Sequence, residues 1–578
     1  MTTPVLRRRP LGKIDVLRES EIPPLLKRLY LQRGVCALGE LERGVRGLLP
    51  YHQLTGIEQA TDLLVGALVN QCRIMVIGDF DADGATSTAL TVLALRKMGA
   101  RKVDFLVPNR FKDGYGLSPE IVEQAAARGA QFIVTVDNGI SSHEGVVRAH
   151  HKGIRVLITD HHLPSDTLPT ADAILNPNLH GCTFASKSLS GVGVAFYLML
   201  SLRARLNDGI WFTQRGIAAP KLAELLDLVA LGTVVDVVPM DANNRILVHQ
   251  GLNRIRAGQC RPGIQALAEL TNGDLTQLRA SDLAFRIGPR LNAAGRLTDM
   301  SVGVLLLLTD EISQARILAT KLNALNKARR QIEQGMEAEA LALCQAMSCD
   351  ENTMPCGLAI YHAQWHQGVV GILASRIKER FQRPVIAFAP AGDGILKGSG
   401  RSIPGLHMRD LLERLNTLHP NLMLQFGGHG MAAGLMLKQT QFDRFQEDFS
   451  TLVEEWIDPA MLEGVIWSDG ELSGPELSVR TAELLREGGP WGQTFPEPLF
   501  DGRFRVIHQK LMGDKHLKLL LEPLAGGPIL DGVAFNIDSH LWPNPKVNTL
   551  ELAYRLEVNN FFGNRRLQLF IEHIWPLS

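Results

Sequence analysis

Carboxylates and two histidines stand at one kind of place in this chain, the end of an apolar run. Ile74-Met75-Val76-Ile77-Gly78 leads into Asp79, Asp81 and Asp83. The run 132–136 leads into Asp137-Asn138-Gly139, and 155–159 leads into Asp160-His161-His162. Asp236 sits inside the apolar stretch 232–239. In an open parallel sheet, chemistry gathers beyond the carboxyl ends of the strands. Carboxylates this close repel one another unless a cation lies among them. Oxygen ligands with an imidazole suit Mn²⁺ or Mg²⁺ better than zinc. An acid shared between two ions gives a two-metal centre, and the reaction class is attack of water on phosphorus. Singly, each piece has a plainer reading: a helix cap, a turn, a surface histidine. Asp236 resists it, because a buried unpaired carboxylate is costly.

The elements that must position these groups follow from periodicity. From residue 73 onward, strand-like runs at 103–108, 132–136 and 155–159 alternate with helical stretches at 119–128 and 143–152. That is the βαβ signature of a doubly wound parallel sheet. Helical segments are expected at 193–205 and 219–231, with a turn carrying Asp236 after them. Residues 310–347 read as one long helix with little apolar stripe, a strut between domains. A second α/β segment spans 348–460. Five β-like runs between 503 and 572 predict a small C-terminal barrel, OB-fold-like, its last two strands joined by a hairpin at 561–564. The expected organisation is a helical lead-in (1–70), a catalytic α/β domain (71–309), the connecting helix (310–347), a second α/β domain (348–460) and the barrel (461–578).

With 578 residues the chain exceeds one core. Sixty basic and sixty acidic residues cancel, which argues against a wholly basic DNA coat but not against a local basic groove. Seven cysteines without a C-x-x-C pair fit a reducing compartment. Nothing reads as a signal peptide or a membrane span, so a cytoplasmic protein with no membrane partner is expected.

Other residues read as phosphate handling. Arg286, Arg290 and Arg296 surround glycines and Asn292, where backbone and guanidinium groups could meet phosphate. Arg110 and Tyr115 lie in a glycine-containing loop, suited to a single strand with a base on the ring, or to plain loop packing for Tyr115. Ser399 and Arg401 flank Gly400 in a strand-like run, so their side chains share a face and could hold a terminal phosphate.

Asp81-x-Asp83, Asp137, Asp160-His161-His162 and Asp236 resemble the motifs of the DHH phosphoesterase superfamily. Gly427-Gly428-His429 resembles the signature of its DHHA1 substrate-binding domain. The order and accessory domains are similar to the superfamily's bacterial single-stranded-DNA exonucleases. The resemblance implies metal ligation by Asp81, Asp83, Asp137, His161 and Asp236, with Asp137 bridging two Mn²⁺ or Mg²⁺ ions. It implies that His162 contacts substrate, that Asp160 orients the histidine pair, and that Asp79 supports the site. It implies that Ser399 and Arg401 hold a 5′ end with help from an arginine of 290–296 and with His429 nearby. Many small relatives carry a histidine where Ile77 stands here, a departure the single-strand exonucleases share.

The implied activity is 5′→3′ hydrolysis of single-stranded DNA to mononucleotides in recombination and repair, beside the nucleoid, with a single-strand-binding protein and a helicase as partners. Two alternatives stand beside it: a phosphodiesterase for short oligonucleotides or cyclic dinucleotides, and a non-catalytic replication scaffold. The full set of acids speaks against the scaffold.

Overall fold

The structure, a computed structural model, describes residues 4–577 except 13, 272, 348–353, 514, 539–540 and 562–563. The expected turn at Phe562-Gly563 lies outside the described residues. The chain divides into two compact units. One comprises residues 8–323 and 467–578, the other 1–7 and 324–466.

The larger unit holds a five-stranded parallel sheet in the order 103–106, 74–77, 132–136, 155–159, 173–175. Ile74–Ile77 and Phe132–Val136 are buried along their whole length. A strand covered on both faces reads as a continuous apolar run rather than an alternating one. Helix Ala82–Lys97 follows the first of these strands, and its side chains are buried from Ala82 to Leu95. The lead-in is not purely helical: a short strand, Val5–Arg8, precedes helices Pro24–Gln32 and Ile57–Val69.

The same unit carries a closed barrel of strands Phe500–Met512, His516–Pro523, Leu530–Phe535, Thr549–Phe561 and Asn564–Leu577. All five expected runs are strands, and Phe500, Phe504, Leu519 and Leu552 fill the interior. Arg279 grips Glu557 of the barrel with two bonds of 2.7 Å.

The smaller unit has a sheet in the order 425–428, 432–438, 395–401, 385–390, 358–361. The last two strands in that order are parallel and every other pairing is antiparallel. Strands Gln425–Gly428 and Ala432–Lys438 were not expected. Glycines at 427, 428, 430 and 434 hide them, because glycine carries no strand preference.

Helix Ile312–Met347 runs for 36 residues, and the division between the units falls within it. It has two short apolar stripes where little was expected. Ala315, Ala319 and Leu322 are buried on one side of the division, and Met336, Ala340 and Cys344 on the other. Four of these six are alanine or cysteine-sized, which is why the pattern reads weakly in sequence.

Candidate active site

Three strand ends and one helix end meet in the larger unit. After Ile74–Ile77 the chain turns through Asp79, Phe80 and Asp81. Asp81 caps helix Ala82–Lys97, accepting the Gly84 N–H at 3.0 Å. The cap reading was therefore correct for one oxygen and leaves the other available. Asp83, buried in the first helical turn, accepts the N–H groups of Gly191 and Val192 at 2.6 and 3.0 Å. These amides open helix Gly191–Asp208, where partial positive charge favours a carboxylate.

Asp137 follows Phe132–Val136 with φ +62°, a left-handed conformation that aspartate tolerates. Asn138 anchors the turn by donating to the carbonyls of Ile77 and Val136 at 3.0 and 2.9 Å. Gly191 lies against this turn: a β-carbon there would come 2.5 Å from that of Asp137. Sequence reasoning missed Asn138 and Gly191; the signal for the latter was a capping Ser190 before two closely spaced glycines.

Asp160 ends Arg155–Thr159. One oxygen accepts from Ile140 N–H at 2.9 Å. The other takes the N–H groups of His161 and His162 and lies 2.7 Å from His162 Nδ1. Burial opposes ionisation of Asp160, but these bonds and the neighbouring imidazoles hold its carboxyl below the usual range. Burial likewise opposes protonation of His162, yet the bond to Asp160 lifts it to about 9. His161 is the converse: burial pushes it down against the attraction of Asp236, so its ring is neutral with a lone pair to offer.

Asp236 follows helix Leu226–Val235 as its cap and stands in a turn, as expected. The expected helix stopped at 231 because Gly232 and Thr233 followed by two valines are poor helix formers. Its carboxylate lies 3.5 Å from His161 Nε2, which lies 3.0 Å from Asp137 Oδ1.

The charges of this cluster are not balanced within the protein. Burial first, and then mutual repulsion, push Asp79, Asp83 and Asp137 well above the usual carboxylate range. Burial raises Asp236 too, against the pull of His161. Asp79 Oδ1, Asp137 Oδ1, His161 Nε2 and Asp236 Oδ2 are all buried without a hydrogen-bond partner. Buried polar atoms are almost always satisfied, so four orphans in one place call for a ligand. Donor atoms converge within 4.8 Å in the sets Asp83/His161/Asp236 and Asp79/Asp81/Asp137. Carboxylate oxygens with one neutral imidazole fit Mn²⁺ or Mg²⁺. Two adjoining sets fit two ions.

Arg110 lies over the Phe80 ring, 4.1 Å from its centroid, and Tyr115 packs edge-on against both Phe80 and His162. Tyr115 is nevertheless 45% exposed. Around Arg290, Leu283–Ile287 is a turn of π-helix and Gly288–Leu297 an α-helix. Gly295 serves close packing: a β-carbon there would fall 1.7 Å from the Phe80 carbonyl oxygen. Asn292 accepts the Ala82 N–H at 2.8 Å and so clamps the Asp81 turn. Arg290 donates to Asn323 at 3.0 Å, and Arg296 lies in the last turn of the helix.

In the smaller unit, Arg401 donates to Ser399 Oγ at 3.1 Å and is largely buried. No acid pairs with it among the described residues, and burial lowers its pKa. Gly371 leaves the space beside both groups, since a β-carbon there would come 3.0 Å from each. Gly428, Ala433 and Gly400 stand abreast on adjacent strands, which brings exposed His429 to the end of the sheet that carries Arg401.

Comparison with known proteins agrees with this architecture. Residues 73–233 match the DHH family N-terminal domain, 355–455 the DHHA1 domain, and 468–573 the RecJ OB domain. The chain is 64% identical over 572 residues to the single-stranded-DNA-specific exonuclease RecJ of Escherichia coli, covering 99% of both chains. This chain belongs to the RecJ family. The RecJ of Dickeya dadantii is 66% identical over the same span. The crystal structure of Thermus thermophilus RecJ in complex with Mn²⁺ superposes with a TM-score of 0.81 at 30% identity. That match covers 99% of this chain and 80% of the other. A Mg²⁺ complex of the same RecJ gives a TM-score of 0.76. No helix among the described residues is long and apolar enough to cross a membrane.

Proposed function

We propose that this protein is a metal-dependent exonuclease that degrades single-stranded DNA from its 5′ end and releases mononucleotides. The observation that supports the reading most is the convergence of four orphaned donor atoms on one buried acidic cluster. Asp81, Asp83, Asp137, His161 and Asp236 are the proposed ligands, with Asp79 completing the acidic wall. Two divalent cations held there would lower the pKa of water and draw charge from phosphoryl oxygens. His162, kept protonated by Asp160, would donate to a phosphate oxygen beside them. Arg110 offers a second cation, and the partly exposed Tyr115 a ring for a base. Ser399 and Arg401, with His429, would hold the 5′ phosphate, because a buried guanidinium without an acid awaits an anion.

On the barrel, His516 packs on Phe535 at 4.9 Å and Phe535 stacks on Phe570 at 5.1 Å. Both phenylalanines are more than a third exposed. A row of aromatic faces suits stacking of successive bases. Lys510 and Lys515 lie on neighbouring strands and turns, while Lys518 is paired with Asp531 at 3.1 Å. A single-strand-binding protein and a helicase that exposes single strands are the proposed partners in the bacterial cytoplasm.

The test is a digestion course with Mn²⁺ on strands labelled at either end. A 5′ label should be released at once as mononucleotide, while a 3′ label stays on progressively shorter strands. The opposite order would refute the polarity, and cleavage of dinucleotides alone would favour a short-oligonucleotide phosphodiesterase.

A further inference from the structure

A cavity of about 650 Å³ opens in the larger unit, on the far side of the chain segment that carries Asp236. Such a volume is typical of ligand sites. Val235, Val237 and Val238 form one wall, so the peptide that presents Asp236 to the acidic cluster also lines this cavity. Phe285 and the segment 489–493 with Trp491 line it too.

Three features mark the cavity as a binding site. First, Phe285 is 73% exposed and Val237 60% exposed, and a large apolar side chain left in water is costly. Phe285 lies in the π-helical turn, a geometry frequent at functional sites. Second, Val237 has φ +61°, an outlier for a β-branched residue. Such strain persists where function requires it. Third, five arginines (43, 256, 279, 486 and 555) but only two acids, Glu487 and Glu497, line the cavity. Arg279 and Arg555 are matched to glutamates. Arg43, Arg256 and Arg486 instead donate to neutral groups: the Glu487 carbonyl, the Leu278 carbonyl and the Gln277 amide. Among the described residues these three guanidinium groups outnumber the one remaining acid of the lining, Glu487, and Arg486 and Arg279 repel Arg256. An excess of cations beside apolar walls describes a place for a group with a flat apolar body and a negative charge.

We infer that this cavity receives a nucleotide of the single strand beyond the two that flank the scissile bond, its base against Phe285 and its phosphate towards Arg256 and Arg486. The inference rests on the exonuclease reading. A strand is favoured over an acidic peptide because the cavity wall and the acidic cluster share the residues around Asp236, so a polymer bound at one is carried past the other. A nucleotide seated there would also brace the strained Val237 and thereby steady Asp236.

The test uses the full chain and strands carrying a single fluorescent aminopurine at successive positions, bound in EDTA so that they stay intact. One position should be quenched by the wild type, released by Phe285→Ala and quenched again by Phe285→Trp. Phe285→Ala should bind a long strand about tenfold more weakly, the usual worth of one stacked base. Its KM on long strands should rise with kcat little changed, while hydrolysis of a dinucleotide too short to reach the cavity stays as in the wild type. Unaltered quenching and KM in Phe285→Ala overturn the inference. So does an acidic, phenylalanine-bearing peptide that binds the wild type but not Phe285→Ala without competing with the strand, which would make the cavity a protein-docking site. A wild type that shortens no strand in Mn²⁺ refutes the exonuclease reading instead, whatever the quenching shows.

Discussion

Asp160 Oδ1 lies 2.7 Å from His162 Nδ1 and also accepts both backbone N–H groups of the histidine pair. One buried oxygen thus sets the charge of His162 and the path of the chain through His161. Changing Asp160→Asn keeps the shape but removes the charge. Groups that orient metal ligands typically contribute roughly 10- to 100-fold to metal affinity or activity. Cleavage by Asp160→Asn should fall by roughly that factor, with the Mn²⁺ titration displaced to higher concentration. An unchanged titration and rate would assign Asp160 to structure alone.

Asp137 adjoins both donor sets, so its replacement separates stability from activity. Burial and the neighbouring Asp83 and Asp81 already disfavour its charge. In EDTA, Asp137→Asn should therefore melt no lower than the wild type, and higher if repulsion dominates. Mn²⁺ at a hundredfold its Kd should stabilise the wild type by about 2.7 kcal/mol. The variant should lose most of that gain and all cleavage. Thermal melts with and without Mn²⁺ measure both, and an equal Mn²⁺ gain in the variant would remove Asp137 from the ligand set.

Much of this centre was legible because acids at the ends of apolar runs have few structural excuses. Asp79, Asp81, Asp83, Asp137 and Asp160 all stand beyond strand ends as the periodicity implied. Asp236 was found by its chemistry and stands in a turn as expected, although the helix before it runs on to Val235 because valines and a glycine disguise its end. The glycine-rich strands of the smaller unit were invisible for a related reason: backbone hydrogen bonding leaves no side-chain signature. The glycines near Arg290 read as room for phosphate, whereas the tight packing of Gly295 against the Phe80 carbonyl has no signature in sequence. The cavity beside Asp236 could not be read at all, because Arg43, His249, Phe285 and Trp491 meet only in the fold.

Gly295 gives a direct measure of how helix 288–297 supports the acidic turn. A methyl group there would strike a backbone oxygen, which cannot rotate away. Gly295→Ala should cost about 1–3 kcal/mol, the usual range for overpacking. Because Asn292 on the same helix caps the Asp81 turn, cleavage should fall further than stability does. Denaturant unfolding alongside single-turnover rates checks the pair of effects. A fully active, equally stable variant would show that the helix yields.

His249 supplies a pH-dependent contribution away from the acidic cluster. Burial, with Arg43 and Arg256 nearby, lowers its pKa from the ordinary value to about 4. Asn253 can donate to its neutral ring at 2.9 Å. Between about pH 6.5 and 4 the unfolded chain therefore binds a proton that the folded chain refuses. Stability is lost as pH falls through that window and is unaffected by this group above it. The ring is only partly buried, so the loss should be on the order of 1 kcal/mol after screening. His249→Gln, which keeps an acceptor for Asn253, should flatten the dependence of melting temperature on pH across that window. Parallel curves for the two proteins would place the His249 pKa near its ordinary value.

Arg401 is where the choice of strand end should be decided. Its guanidinium is largely buried, donates to Ser399 and the Gly400 carbonyl, and meets no carboxylate among the described residues. Desolvating an arginine without an acid is unfavourable, and a terminal phosphate would offset that cost with charge-assisted bonds. Arg401→Ala should weaken binding of a 5′-phosphorylated strand by about 1.5–3 kcal/mol, the worth of hydrogen bonds to a charged group. Binding of a 5′-hydroxyl strand should change far less, so the ratio between the two substrates should shrink. Arg401→Lys should recover only part of the preference, because an ammonium group lacks the planar fork. The Mn²⁺ titration should match the wild type, since no proposed ligand lies in this unit. Rates and affinities for both strands, in wild type and both variants, carry the comparison. If the wild type favours the phosphorylated end and Arg401→Ala keeps the same ratio, the end is read elsewhere, and the buried guanidinium serves only to hold Ser399 and the strand edge in place.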